Sequence, residues 1–156
     1  LPNDRRHQFK LRGTYALTPH WQIGANADVR SGGPITGFGV GNPYDATNYH
    51  SYYTCVQNCD SDVSSERVYE HSARGAYGRM PWTYTLDASL SYILPFEGRG
   101  RMRVKLAVYN LLNQQRTVQV DQTLQSAISN DTDATFRLPT GFQAPRFTQL
   151  TFAVDF

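Results

Sequence analysis

Cys55 and Cys59 are separated by three residues in a stretch rich in Ser, Asn and Tyr. Two chemistries fit that spacing: a disulfide closing a small loop, or a metal site completed by His50 or His71. The disulfide is favoured. It suits an oxidising compartment, whereas a zinc site would call for a second Cys pair or a recognisable His spacing, and the chain has neither. Asp60 and Asp62 lie close by, without the central Gly and terminal Glu of a calcium loop. Ser, His and Asp are all present, but no Gly-x-Ser-x-Gly elbow or His-Glu-x-x-His block occurs. The chain is therefore read as non-enzymatic, with no cofactor and no resident metal. Gly37-Phe38-Gly39-Val40-Gly41 lacks the Gly-Lys-Ser/Thr ending of a phosphate loop and reads as a loop hinge. Tyr44, Tyr49, Tyr52, Tyr53 and Tyr69 crowd the same region. Such rings can stack on sugars or other ligands, or pack the loop against itself, and the sequence leaves both open.

Composition narrows what could carry these groups. Charged residues make up 18% of the 156 positions, against roughly 25% in ordinary soluble domains, yet mean hydropathy is −0.51. The polarity resides in Thr, Ser, Asn, Gln and Gly, accompanied by ten Tyr and eight Phe. The chain contains no run of ~18 apolar residues that would form a membrane helix. Net charge is +2 and the basic residues are scattered, apart from Arg5-Arg6 and the turn Gly98-Arg99-Gly100-Arg101, so nucleic acid is not an expected partner. A membrane β-barrel accounts for both low charge and low hydropathy, because each strand alternates a lipid face with a wet one.

The period is two wherever it can be read. Phe9, Leu11, Gly13, Tyr15 and Leu17 alternate with Gln8, Lys10, Arg12 and Thr14. After the Thr18-Pro19-His20 turn, Trp21, Ile23, Ala25, Ala27 and Val29 alternate with Gln22, Asn26, Asp28 and Arg30. Counting back from Pro19 sets Lys10 near Asp28 and Arg12 near Asn26. A third stripe runs Trp82, Tyr84, Leu86, Ala88, Leu90, Tyr92 and Leu94, with Asp87 on its polar side. A fourth runs Met102, Val104, Leu106 and Val108, opposed by Arg103 and Lys105. The fifth is Thr148, Leu150, Phe152, Val154 and Phe156. The pattern predicts an all-β, antiparallel transmembrane barrel segment with strands at 7–18, 21–31, 82–94, 101–112 and 146–156, forming one domain over 1–156. Short connections at 18–20 and 95–100 alternate with long polar ones at 31–81 and 113–145, the rhythm of periplasmic turns and extracellular loops. Trp21 and Phe96 beside the short turns, and Trp82 and Tyr84 beside the long ones, fit interfacial aromatic girdles. Lys10, Arg12, Asn26, Asp28, Arg30, Asp87, Arg103 and Lys105 would then face the lumen, serving chiefly to hold the wall together. The competing fold is a soluble β-sandwich, which also alternates but does not predict this loop rhythm.

The terminal segment Phe147 to Phe156, apolar at Leu150, Phe152, Val154 and Phe156, resembles the C-terminal signal by which barrel insertion machinery reads outer-membrane proteins. Asp4-Arg5-Arg6-His7-Gln8-Phe9, Arg30-Ser31-Gly32-Gly33-Pro34-Ile35, Tyr109-Asn110-Leu111-Leu112-Asn113-Gln114 and Ala144-Pro145-Arg146-Phe147 follow one another as near the end of TonB-dependent receptors. Their order and spacing are most similar to the Oar-like, carboxypeptidase-regulatory-like branch. The resemblance covers most of the chain outside 38–78. It implies a bacterial outer-membrane location, a 22-stranded barrel, an N-terminal plug, a TonB-binding box and substrate uptake driven from the inner membrane. Its partners would be outer-membrane lipid, the remaining strands and plug, the TonB system and the insertion machinery. Five strands cannot close a barrel without leaving backbone groups unsatisfied in lipid, and Leu1-Pro2-Asn3-Asp4 does not read as a signal peptide, so a fragment of a larger receptor is expected. A structural or adhesive barrel is the first alternative and a soluble sandwich binding module the second.

Overall fold

The computed structural model describes residues 4–44, 51–95 and 100–155. Tyr49, His50, Phe96 and Phe156, singled out above, lie outside the described residues. The chain is all-β and antiparallel. Among the described residues nine strands follow in order: β1 (Gln8–Ala16), β2 (Trp21–Arg30), β3 (Tyr53–Gln57), β4 (Val68–His71), β5 (Thr83–Pro95), β6 (Arg101–Tyr109), β7 (Thr117–Val120), β8 (Pro139–Phe142) and β9 (Phe147–Asp155). They divide between two compact units, one of 6–31, 82–116 and 143–156, the other of 1–5, 32–81 and 117–142.

The first unit is a five-stranded sheet in the order β1-β2-β5-β6-β9. Its four ladders keep register without a bulge, so the alternation of each strand is carried across the whole sheet. Leu11 faces Ala27, which faces Leu86; Ile23 faces Leu90, which faces Leu106, which faces Leu150. One face is thus continuously apolar, and it is exposed: Leu11 is 75% accessible, Phe152 61% and Leu106 44%. Among the described residues the buried apolar side chains are Ile35, Cys55, Cys59, Ala107, Val120 and Leu124. Ala107 alone of these belongs to the sheet unit, and its partners Ser89 and Gln149 place it on the polar face. The register sets Lys10 opposite Asp28 and Arg12 opposite Asn26, as the turn count predicts.

The second unit consists of the two long connections and is more structured than their composition suggests. β3 and β4 form a bulged hairpin around a 3-10 turn at Ser64–Glu66, and β7 and β8 form another. The Gly37–Gly41 segment is not a hinge. Gly37, Gly39 and Gly41 are buried; a Cβ on Gly39 would stand 2.2 Å from the Tyr53 carbonyl oxygen, and one on Gly41 1.9 Å from the Tyr69 ring. Phe38 donates its backbone N–H to the Gln122 carbonyl (2.8 Å) and its carbonyl accepts from Leu124 (2.7 Å). The glycines thus admit close backbone approach in the middle of this unit rather than flexibility.

Gly32 shows the same constraint most sharply, since a Cβ there would lie 1.6 Å from the Met80 carbonyl oxygen. Gly32→Ala is expected to destabilise the protein by about 3 kcal/mol. Gly13→Ala, where a Cβ meets nothing within 4 Å, is expected to be neutral or to stabilise by roughly 0.5 kcal/mol. Denaturant unfolding of the two variants, followed by far-UV circular dichroism, checks the contrast.

Candidate functional site

Two groups of residues merit consideration: the polar face of the sheet and the blocks where strands pass into long connections. On the polar face, Arg12 Nε donates to Asn26 Oδ1 (3.0 Å), and Asn26 Nδ2 donates to Asp87 Oδ2 (2.8 Å). Asp87 Oδ1 accepts the backbone N–H of Asn110 (3.0 Å). Four of these groups therefore form one chain across β1, β2, β5 and the end of β6. Asp28 makes its ion pair within its own strand. Lys10 stands opposite it, but the ion pair goes to Arg30 two residues along the same strand, at 2.5 and 2.9 Å. An i, i+2 pair on one strand face needs no strand-to-strand reach, and the forked guanidinium engages both carboxylate oxygens. Arg103 and Lys105 have Ile93, Ala153, Ser91 and Thr151 as cross-strand partners, so no carboxylate stands opposite either.

Asn110 is the residue that sequence reasoning undervalued. It is 4% accessible and adopts a left-handed backbone (φ 49°), as does Asn113 (φ 51°), a conformation Asn tolerates better than most residues. Its Nδ2 donates to the carbonyls of Gln114 (2.8 Å) and Ala144 (2.7 Å), and its Oδ1 accepts from the Gln114 N–H (3.0 Å). Asn113 Oδ1 accepts from the Arg146 N–H (3.0 Å). The Asn-Leu-Leu-Asn block thus ends β6 and ties the point where the chain leaves the sheet unit to the point where it returns. Just beyond, Phe147 stacks on Tyr109 at 4.6 Å.

The other blocks behave alike. The Ser31 N–H donates to the His7 carbonyl (2.9 Å), and the His7 N–H to Ser31 Oγ (3.0 Å); His7 stacks on Trp82 at 5.9 Å. Within the second unit, the Met80 N–H donates to the Gly33 carbonyl and the Ile35 N–H to that of Gly78, both at 2.9 Å. Arg79 Nη1 donates to the carbonyls of Gly32 (2.9 Å) and Asp4 (3.0 Å), and its Nη2 pairs with the Asp4 carboxylate at 2.5 Å. These residues satisfy backbone groups at joints.

The cysteines do form the disulfide Cys55–Cys59. Gln125, which the sequence did not advertise, lies beside it. Its side-chain amide accepts from the Cys55 N–H (2.9 Å) and donates to the Cys55 carbonyl (2.8 Å), reproducing a strand partner. In the β7–β8 connection two half-buried carboxylates are stabilised in their charged form. Asp133 is held down to about 2, chiefly by the Ser126 hydroxyl and then by Thr135. Asp121 is lowered mainly by the Thr123 backbone N–H. Among the described residues no group of three or more His, Cys, Asp or Glu could hold a metal ion. Comparison with known proteins finds no matching family model, no matching curated protein and no matching solved structure.

Asn110→Ala, which removes three side-chain hydrogen bonds at a buried joint, is expected to cost about 3 kcal/mol. Asn110→Gly keeps the left-handed backbone accessible, so any cost it shares with the Ala variant belongs to the lost side-chain bonds; equilibrium unfolding of both checks this. Because the Asp133 and Asp121 carboxyls are lowered, their stabilising effect is present above the ordinary carboxylate range and is lost as pH falls. Backbone protection, corrected for intrinsic exchange, is expected to decline at Thr135 between about pH 4 and pH 2, and at Thr123 as pH falls below the ordinary carboxylate range. Asp133→Asn should flatten that dependence at Thr135.

Proposed function

We propose that this chain forms part of the wall and two outer loops of a TonB-dependent outer-membrane receptor that takes up a substrate across the outer membrane. The observation that carries the membrane part is the exposed, unbroken apolar face of the five-stranded sheet, backed by a face carrying Lys10, Arg12, Asp28, Asp87, Arg103 and Lys105. A soluble sandwich buries its apolar face against a second sheet; a barrel wall turns it to lipid. Apolar area in contact with lipid rather than water supplies the hydrophobic free energy that the sheet does not draw from an interior of its own. Every residue of this face lies on strands of nine to thirteen residues, a length that spans a bilayer when tilted. Support for the TonB-dependent assignment is the ordered set of four blocks, and the long, polar, folded connections suit substrate capture.

The apolar face makes a direct test possible. In phosphatidylcholine vesicles the refolded chain is expected to show Trp21 fluorescence quenched by bromine-labelled acyl chains. Leu106→Arg, in mid-strand on the apolar face, should weaken folding into vesicles by roughly 2–4 kcal/mol, while Thr151→Arg on the opposite face should change it little. A chain that stays monomeric and folded in detergent-free buffer would overturn the membrane reading. Energy-coupled transport has its own check. The gene segment encoding residues ahead of Leu1 should specify a plug and a TonB-binding box, and a barrel without them would be structural or adhesive.

A further inference from the structure

The second unit carries a row of rings that its own packing does not use up. Tyr44 meets Tyr53 edge-on at 5.7 Å, Tyr53 meets His71 at 5.4 Å, His71 meets Tyr52 at 6.4 Å and Tyr52 meets Phe38 at 5.2 Å. Tyr44 is 83% accessible and Tyr52 39%. At the Tyr44 end the row opens into a cleft of about 430 Å³ lined by Val40, Asn42, Tyr44, Ser64, Arg67 and Tyr69, within the usual size range of small-molecule sites.

The rings at Tyr52, Tyr53, Tyr69 and His71 are held in place by the hairpin and its neighbours. Tyr53 begins and His71 ends the β3–β4 hairpin, and Tyr69 pairs with Cys55 inside it. The Cys55–Cys59 disulfide and the Gln125 clamp hold that hairpin. Arg74 lies over the Tyr52 ring at 5.9 Å and donates to its hydroxyl at 2.7 Å. The Tyr69 ring rests against Gly41, whose carbonyl accepts a hydrogen bond from the Ser51 hydroxyl. A surface whose rings are already placed binds without the entropy cost of ordering them.

We infer that this row and cleft bind an extended oligosaccharide. The chemistry selects that class. A purely apolar ligand would strip water from Asn42, Ser64 and Arg67 without replacing their hydrogen bonds. A polyanion would call for a cluster of cations, whereas among the described residues Arg67 is the one cationic side chain lining the cleft. A sugar ring offers both surfaces at once: C–H groups against tyrosine faces, and hydroxyls toward amide, hydroxyl and guanidinium groups. A row of rings continuing beyond the cleft suits several sugar units rather than one. As the capture step of the proposed receptor this assignment rests on that reading; as a binding site it stands on the second unit alone.

The test uses the whole disulfide-bonded chain in deuterated dodecylphosphocholine, with maltohexaose, cellohexaose and chitohexaose as probes in saturation-transfer NMR. Transfer to ring C–H protons of at least one probe is expected. Tyr44→Ala should weaken binding about tenfold, Tyr44→Phe should retain it, and Tyr15→Ala on the sheet's apolar face should leave it unchanged. Absence of transfer from the folded chain to any of the three probes, or undiminished binding by Tyr44→Ala, overturns the site. Vesicle partitioning without sugar binding sinks this inference alone, whereas sugar binding by a chain that is monomeric in plain buffer keeps it and sinks the membrane reading.

Discussion

The sheet depends on one constraint: four antiparallel ladders that pair residue for residue without a bulge. Side chains alternate with a period of two, so a slip of one residue in any ladder would move a whole strand's apolar set to the other face. Because no ladder slips, the stripes of five strands merge into one apolar surface and one polar surface. Along the paired stretches the backbone groups of neighbouring strands meet one another, as a surface facing lipid would require. The outer edges of β1 and β9 are unpaired within the five strands, and a closed barrel would supply their partners.

Once the ladders hold, the chain must leave the sheet and come back without abandoning buried backbone groups. Three blocks perform this with different chemistry. Gly32 permits a close backbone approach to Met80; Ser31 and His7 exchange two hydrogen bonds; Asn110 spends its whole side-chain amide on carbonyls and an N–H at the two ends of the second long connection. The most distinctive part of the sequence, Asn110-Leu111-Leu112-Asn113, is therefore a structural joint. Its two asparagines occupy left-handed backbone positions where most side chains are strained. The spacing reflects turn geometry rather than ligand binding.

That distinction explains what could be read in advance. The five long strands were legible because nine to thirteen residues of strict alternation leave little ambiguity and the turn at Pro19 fixes the register of its neighbours. The pairs β3–β4 and β7–β8 were not, because they are four or five residues long and bulged, so no alternation accumulates. The Gly37–Gly41 segment misled for a related reason. Glycine signals equally a flexible link and a close approach, and only the neighbours, Tyr53, Tyr69 and Leu124, decide between them. Gln125 and Asn110 were invisible as tethers because the distant partners they hold, at Cys55 and Ala144, lie dozens of residues away and are backbone atoms, which carry no sequence label.

The two units differ in how their polar groups are spent, and this bears on where a ligand would bind. On the sheet, Arg12, Asn26, Asp87 and the Asn110 N–H consume one another, and Asp28 is taken by Arg30. A ligand competing for these groups would have to replace bonds already made at good geometry, so it would gain little. Most of this face is suited to being a wall. The connection unit is different. Its interior is closed by the disulfide, the glycine contacts and Gln125, while Tyr44, Ser64 and Ser65 remain exposed around a cleft. A frame bearing accessible rings and hydroxyls gains contacts on binding without surrendering internal ones, so the recognition proposed for this chain falls to the long connections rather than to the strands.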